Sequence, residues 1–559
     1  MAYYVFYQIA EKAVLFYHIE KKMYFCSRKT SIIMKRILSV LAVLTMASFA
    51  GQSVKAQDTV FGYTHQGTTL YYLIDNAGDA TLVPPLYPDI DTVNDEMWTG
   101  YTKPQGAVVI PDSVPYGGSN HAVTRVGYCA FFRCYNVTHV TMPSTLRAID
   151  RHGFLYCSSL TSPVVPEGVT TIGFGAFDKC ISMQTITLPS TLTTIGDYAF
   201  YKCSSLQSLT FPVGLTSIGL LSFAQSGLTN INLPEGLTAL SEFAFADCGA
   251  LQSVSFPSSL SAIGGACFQG DTSLASVIIP VGVDTIHQWA FYGCKSLPTA
   301  TLPEGLVFIG QSAFNRCESL QSIVFPSTLD SIGKFAFYGC ITFDSVALPD
   351  GMRHISEATF AYCENLKWCH LPSQMEFVDP FLFYGTGIET IEVPEGVTYI
   401  DSAAFGPCPA LHKVTLPSTL TTLKAFAFQF DSIIDTIILN SIVPPTVEDS
   451  AFFVYSAKLV VPCGTVQAYR QHEVWGQFPN IVEDCNAGIE DIESNDINVY
   501  VRDGRIIVEG AEVETVSVYD MMGRQLSTFT SHLSPLTFPT GVYMVKVGTF
   551  PARKVVVIG

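Results

Sequence analysis

Cys203-Ser-Ser-Leu206-Gln-Ser-Leu209-Thr-Phe211-Pro212-Val-Gly-Leu215-Thr-Ser-Ile218-Gly219-Leu-Leu-Ser-Phe223-Ala-Gln225 is one copy of a unit that returns along most of the chain. Another copy runs from Cys317 to Gly339. Prolines stand at 143, 166, 189, 212, 234, 257, 280, 303, 326, 349, 372, 394 and 417, spaced 23 apart except for two steps of 22. A phenylalanine column keeps the same period at 131, 154, 177, 200, 223, 245, 268, 291, 314, 337, 360, 383, 405, 428 and 452. Fifteen members in register exclude coincidence. A fixed period of this length is the mark of a solenoid whose coils stack on their neighbours.

The chemistry of one coil follows from its letters. Leu209 and Phe211 alternate with polar neighbours, the pattern of a strand with one buried face. Pro212 ends that strand because it has no N–H for a ladder. Leu215 and Ile218 point back inward, Gly219 allows a turn that a side chain would obstruct, and Phe223 fills the far end. The few inward side chains of one coil cannot offset the entropy of ordering 23 residues, so a single repeat does not fold alone. Stacking supplies the missing burial and the missing hydrogen bonds. At about 4.8 Å per stacked strand, the coils predict a rod or arc on the order of 70 Å long. The expected fold class is therefore mainly β: a leucine-rich-repeat solenoid with terminal caps and a small C-terminal β-sandwich.

Composition narrows the function. The 559 residues carry a net charge of −18, and no stretch forms the basic stripe that nucleic acid requires. Only 14% of residues are charged and 48% are hydrophobic, so the acidity does not signal disorder. From Met34 the chain reads as a secretory signal peptide over 34–56: Lys35 and Arg36, an apolar run from Ile37 to Ala50, then Val54 and Ala56 at a cleavage site before Gln57. Residues 1–33 read as an upstream over-extension of the gene. The apolar run is short for a bilayer, so the mature chain is expected to have no integral membrane span.

Both ends of the repeat array look like caps. Residues 57–120 carry hairpin-like runs, Thr69-Leu-Tyr-Tyr-Leu-Ile74 and Ala107-Val-Val-Ile-Pro111. The solenoid and its closing unit take residues 121–485, ending in Lys458-Leu-Val-Val-Pro462, Val466-Gln-Ala-Tyr469 and Trp475. An acidic linker, 486–496, leads to a strand-rich tail, 497–559. The repeat pattern resembles the BspA-type leucine-rich repeats, related to those of treponemal surface proteins, over roughly residues 120 to 482. That resemblance implies a cell-surface protein that adheres to host extracellular matrix or surface proteins, bacterial surface proteins or glycans. The tail resembles the C-terminal sorting domain of type IX secretion cargo in Bacteroidota, on Val516 to Arg524, Gly541 to Tyr543 and Arg553 to Ile558. The resemblance implies that the type IX machinery is a partner and that the protein is secreted or held on the outer membrane exterior.

No catalytic motif appears, and no cofactor or metal site is expected. There is no nucleophile elbow, phosphate loop, dinucleotide fingerprint or H-E-x-x-H. Of the 16 cysteines, Cys134, Cys157, Cys180, Cys203, Cys248, Cys294, Cys317, Cys340, Cys363 and Cys408 share one repeat column. Stacked parallel Cβ vectors suit neither the torsion nor the reach of a disulfide, so they are expected to pack as small hydrophobes. Cys463 and Cys485 lie off the column and either pair or stay free. Cys363, Cys369 and His370 have no second ligand pair at zinc spacing. What remains is surface. The outward strand positions are mostly Ser and Thr, but one coil places Trp368 and His370 there, followed by Thr390, Glu392 and Lys413 on later coils. These five are the candidate ligand-binding residues; the alternative for Trp368 is an indole folded onto a neighbouring coil. Two other functions stay open at this point, a secreted hydrolase with an unrecognised site and a passive structural surface layer.

Overall fold

In the computed structural model the described residues are 59–87 and 95–485, apart from 430, 432, 449, 453 and 454, together with the strands 498–502, 505–509, 515–520, 525–530, 541–547 and 553–557. The expected extension 1–33, signal peptide 34–56 and linker 486–496 lie outside the described residues. Two compact units divide the chain: residues 1–388 with 403–408, and residues 389–402 with 409–559.

The chain is mainly β, and its repeats form a solenoid of coils about 23 residues long. Each coil of the larger unit contributes to three stacked tiers. The first tier is the strand before the proline, paired in parallel with the next coil, as Asn230–Asn232 with Ser253–Ser255 and Ser345–Ala347 with Trp368–His370. The second was not read from the sequence: the residues around the inward Ile form their own parallel ladder, from Ala239–Leu240 through Ala262–Ile263 and onward to His354–Ile355. Near the N-terminal end the first tier thins. Pro163 stands in it, and between Val137–Thr141 and Asn230–Asn232 the described residues keep only the bridges Val164 with Thr187 and Thr185 with Ser208.

The third tier is a double turn around the phenylalanine. From Phe131 to Phe383 the residues two before and two after each Phe of the column take positive φ, as Tyr198 and Lys202 do around Phe200 (56° and 58°) and Ser312 and Arg316 around Phe314 (54° and 58°). That twist aims alternate backbone N–H groups at the next coil: Phe314 N–H donates to the Ala336 carbonyl at 2.8 Å and Arg316 N–H to the Tyr338 carbonyl at 2.8 Å. Rings from Phe131 to Phe405 lie nearly parallel in an offset stack, with centroids 4.9 Å apart at Phe131–Phe154 and 5.8 Å at Phe360–Phe383. All are buried.

Glycine after the inward Ile is required by approach rather than by φ. A Cβ on Gly310 would stand 2.7 Å from the Gln288 backbone nitrogen. A second device joins successive coils on their exposed side. Coils reading Pro-Glu-Gly are followed by coils reading Pro-Ser-Thr or Pro-Ser-Ser, as at Pro234-Glu-Gly236 and Pro257-Ser-Ser259. Ser258 donates to the Glu235 carboxylate from its N–H (3.1 Å) and its hydroxyl (3.0 Å). Gly236 N–H donates to Ser259 Oγ at 3.1 Å, and that hydroxyl donates to the Leu237 carbonyl at 2.9 Å. Glu395 and Ser418 repeat the arrangement in the smaller unit.

At the N-terminal end Phe61–His65 and Thr68–Ile74 form an antiparallel hairpin, continued by Ala80–Val83. The run Ala107 to Pro111, expected in a hairpin, instead supplies Gly106–Val109, which lies parallel to Val137–Thr141 and so extends the first tier. The strand Ser119–Val126 spans the expected cap boundary at residue 120. In the smaller unit Thr390–Glu392, Lys413–Leu416, Thr436–Leu439, Lys458–Pro462 and Asn480–Asp484 form one parallel sheet. The helix Val466–Gln471 crosses between its last two strands. Trp475 is fully buried beneath it and donates from Nε1 to the Pro445 carbonyl at 2.8 Å. Cys463 and Cys485, opposite each other at the ends of those strands, form a disulfide. The tail strands pair antiparallel, Asn498–Arg502 with Arg505–Glu509, and Thr515–Asp520 with Gln525–Thr530 and Gly541–Val547.

Candidate functional site: the outward strand face

Because a strand alternates, the first tier buries one side chain and exposes the next. In Trp368–His370 the middle residue, Cys369, is buried, while Trp368 is 49% exposed and His370 is exposed beside it. The indole does not fold inward: its ring lies at 21° to that of His370, centroids 6.4 Å apart. His370 is fixed in turn, with Nε2 3.0 Å from Asp350 Oδ1 on the preceding coil. The site thus offers a flat aromatic pair, a carboxylate and the hydroxyl of Ser345, which pairs with Trp368 across the ladder.

Thr390, Glu392 and Lys413 stand on the outward positions of the smaller unit, with Thr390 opposite Lys413 and Glu392 opposite Thr415. Glu392 and Lys413 are exposed and Thr390 is half-buried. Sequence reasoning did not pick out Ile278, Val281 and Val324, which are 68%, 80% and 84% exposed. The signal was present: at the outward strand positions Ile278 and Val324 are aliphatic, where the coils at 185–187, 208–210, 230–232, 253–255 and 299–301 have only Ser, Thr or Asn.

The buried columns are chemically quiet. From Cys157 onward each column thiol does more than fill space: it donates to the carbonyl of the Phe on the preceding coil, as Cys157 to Phe131 at 3.3 Å, Cys317 to Phe291 at 3.3 Å and Cys363 to Phe337 at 3.1 Å. Burial pushes the Cys134 thiol up to about 12 and holds Cys157, Cys180 and Cys294 well above the usual thiol range, so none is a ready nucleophile. Cys363 and Cys369 are buried and His370 faces outward, so the three do not converge on one ion. Cys463, Glu483 and Cys485 bring three ligand atoms within 4.8 Å of one another, but the disulfide takes both sulfurs. A concavity of about 350 Å³ lies against Val109–Asp112 and Thr141–Ser144, with His65 at its edge. Its one carboxylate, Asp112, accepts from the Ser144 N–H and hydroxyl.

Residues 124–250, 238–346 and 330–458 match the family described as BspA type leucine rich repeat region. Residues 486–557 match a family described as a domain of unknown function (DUF6383). Among curated proteins there is no sequence match. The chain is similar in structure to a leucine-rich repeat protein from Bacteroides ovatus, at 23% identity and a TM-score of 0.55, over 77% of this chain and 99% of that one. A leucine rich cell surface protein from Faecalibacterium prausnitzii aligns at 22% identity and a TM-score of 0.39, over 69% of this chain and 96% of that one. The T. pallidum leucine rich repeat protein aligns at 26% identity and a TM-score of 0.25, over 45% and 87%. No helix among the described residues is long and apolar enough to cross a membrane.

Proposed function

We propose, from the premise that the chain belongs to the BspA-type leucine-rich repeat family, that it is a cell-surface interaction scaffold which binds rather than catalyses. Its partners are host extracellular matrix or surface proteins, bacterial surface proteins or glycans, and it meets them on the outward strand face of the larger unit, centred on Trp368 and His370; on the smaller unit Thr390, Glu392 and Lys413 are further candidates. The single observation behind this reading is the exposed indole, lying nearly parallel to the His370 ring on a face otherwise rich in small polar side chains. A rigid aromatic surface freezes few rotamers on binding, so such a residue is a natural hot spot. The scaffold reaches its place by secretion. The signal peptide at 34–56 exports it from the cytoplasm, and residues 497–559 address it through the type IX machinery of a Bacteroidota cell. Small antiparallel strands at the tail's expected positions support the second step.

The binding test presents host matrix proteins, bacterial surface extracts and glycans to the full chain. Any saturable ligand is then measured against Trp368→Ala and Ser253→Ala. Loss of the indole should cost on the order of 2 kcal/mol. An unchanged affinity in folded Trp368→Ala would move the site off this face. The address test deletes 497–559, and normal surface display of the truncated chain would refute that step.

A further inference from the structure

We propose that the outward strand face of the larger unit takes a basic polypeptide segment in the polyproline II conformation, laid along the stack from Ile278 to Trp368. This rests on the reading of Trp368 as a binding residue and names the class of its partner. From Thr185 to Ser255 the two outward positions of each coil hold only Thr, Ser or Asn. At Ile278 the character changes. Ile278 is 68% exposed and Val324 is 84% exposed; Ala347 is exposed, and the Trp368–His370 ring pair follows. The ladder holds these side chains in one line: Ile278 is opposite Thr301, Ala300 opposite Ile323, and Ala347 opposite His370. Asp344 N–H reaches the Gln321 carbonyl and closes the remaining step.

Spacing selects the occupant. Two coils separate Ile278 from Val324, and two more separate Val324 from His370. At about 4.8 Å per coil each step is roughly 9.6 Å. A polyproline II helix has three residues per turn and a rise of about 3.1 Å, so every third side chain recurs on one face at roughly 9.3 Å. A β-strand repeats a face at about 6.8 Å, and two turns of α-helix cover about 10.8 Å; both lose register over two steps. The flat indole and the β-branched aliphatics suit proline rings, which bring little rotamer entropy to lose. Charge selects the sign. Glu304 and Asp350 are exposed where the strands run past their prolines, and the whole chain carries −18. A Lys or Arg in every third place of such a segment would pair with those carboxylates and stack on the indole.

The test immobilises the full chain and compares peptides of about five repeats, roughly 46 Å long in this conformation. They are Arg-Pro-Pro, Arg-Gly-Ser of equal charge without the conformation, and Glu-Pro-Pro; a neutral oligosaccharide set is run beside them. Arg-Pro-Pro should bind saturably and about tenfold more tightly than Arg-Gly-Ser, and Glu-Pro-Pro should not bind. Trp368→Ala and Val324→Ser should each weaken it by about fivefold or more, Asp350→Asn should lower its salt dependence, and Ser253→Ala should leave it unchanged. Val324→Thr keeps the β-branched shape and serves if the serine variant unfolds. Equal binding of the two basic peptides, or indifference to both Val324 variants, overturns the proposal. If an oligosaccharide binds through Trp368 while Arg-Pro-Pro does not, the binding face stands and the polypeptide partner falls.

Discussion

Trp289, Phe243 and Phe335 hold φ values of 57°, 55° and 58°, a region that costs an ordinary L-residue roughly 1–2 kcal/mol. Local preference would never place bulky aromatics there. The inter-coil hydrogen bonds impose the conformation, so no residue type marks it in the sequence. In the column after the Phe, glycine stands at 270, 293, 339 and 385, but Arg316 occupies it at 58°. A Cβ on Gly339 would meet only Arg316 Cγ at 3.6 Å, an ordinary contact, so Gly339→Ala should cost about 1 kcal/mol through backbone strain alone. Arg316→Gly should lose nothing. Urea melts of the two variants check the contrast, and equal losses would contradict it. The cysteine column gives a second residue-scale prediction. At its position 271 stands an aspartate, fully buried, whose Oδ1 accepts from the Cys248 N–H at 2.7 Å while Oδ2 has no partner. Burial raises its pKa well above the usual carboxyl range. A raised folded-state pKa gives stability that is fully present below the unfolded value near 3.8 and is lost as pH rises through the folded value. Asp271→Asn keeps the acceptor and removes the titration. Its thermal stability relative to the parent should therefore rise from pH 4 to pH 8, and a difference independent of pH would show that Asp271 keeps its ordinary pKa.

At the scale of the element, the coil was legible where its physics is local. Proline ends a strand, Leu209 and Phe211 alternate, and the Phe period shows one ring per coil, because each follows from a single side chain's chemistry. The second ladder, the thiol-to-carbonyl bonds and the Glu-to-Ser staples were not read, since each is a contact between residues 22 to 26 apart, visible only once coils are stacked. The same division governs the binding face. Trp368 stood out as a large residue in a small polar column, whereas Ile278, Val324 and His370 fall on one line only once Thr301 and Ala347 are set between them in register. Stacking also sets how damage spreads. Phe291 is buried between Phe268 at 5.6 Å and Phe314 at 5.3 Å. Phe291→Ala should cost about 3–5 kcal/mol, as loss of a buried aromatic does. The effect should fall on its own coil and the two neighbours, since each repeat contacts only the next. Hydrogen exchange should show protection lost around residues 266–316 and kept near residues 149–172. Uniform loss across the larger unit would mean that the coils unfold as one block.

For the molecule as a whole, a stack with open ends needs each end closed. The last strand of the smaller unit's sheet, Asn480–Asp484, is terminal in its sheet order, and an open strand edge is a template for another chain. Three features guard it. Glu483 and Asp484 put charge on the edge, Trp475 and Tyr469 fill the space beneath the crossing helix, and the Cys463–Cys485 disulfide ties the edge strand to Lys458–Pro462. The sequence left that pairing open because two cysteines 22 residues apart say nothing of facing geometry until the strands lie parallel in register. A bridge closing a loop of this length removes about 3 kcal/mol of unfolded-state entropy. Reduction, or Cys463→Ser, should therefore fray Asn480–Asp484 and Lys458–Pro462 first, before Thr390–Glu392 and Lys413–Leu416 in the same sheet. With the last strand lost, the newly exposed edge Lys458–Pro462 carries one lysine and four apolar residues, and its Glu and Asp guards are gone. The reduced protein should then self-associate as concentration rises, while the oxidised protein under the same conditions does not. Sedimentation velocity beside hydrogen exchange measures both. If reduction leaves exchange at residues 458–484 unchanged, the buried Trp475 and Tyr469 hold the end without the disulfide.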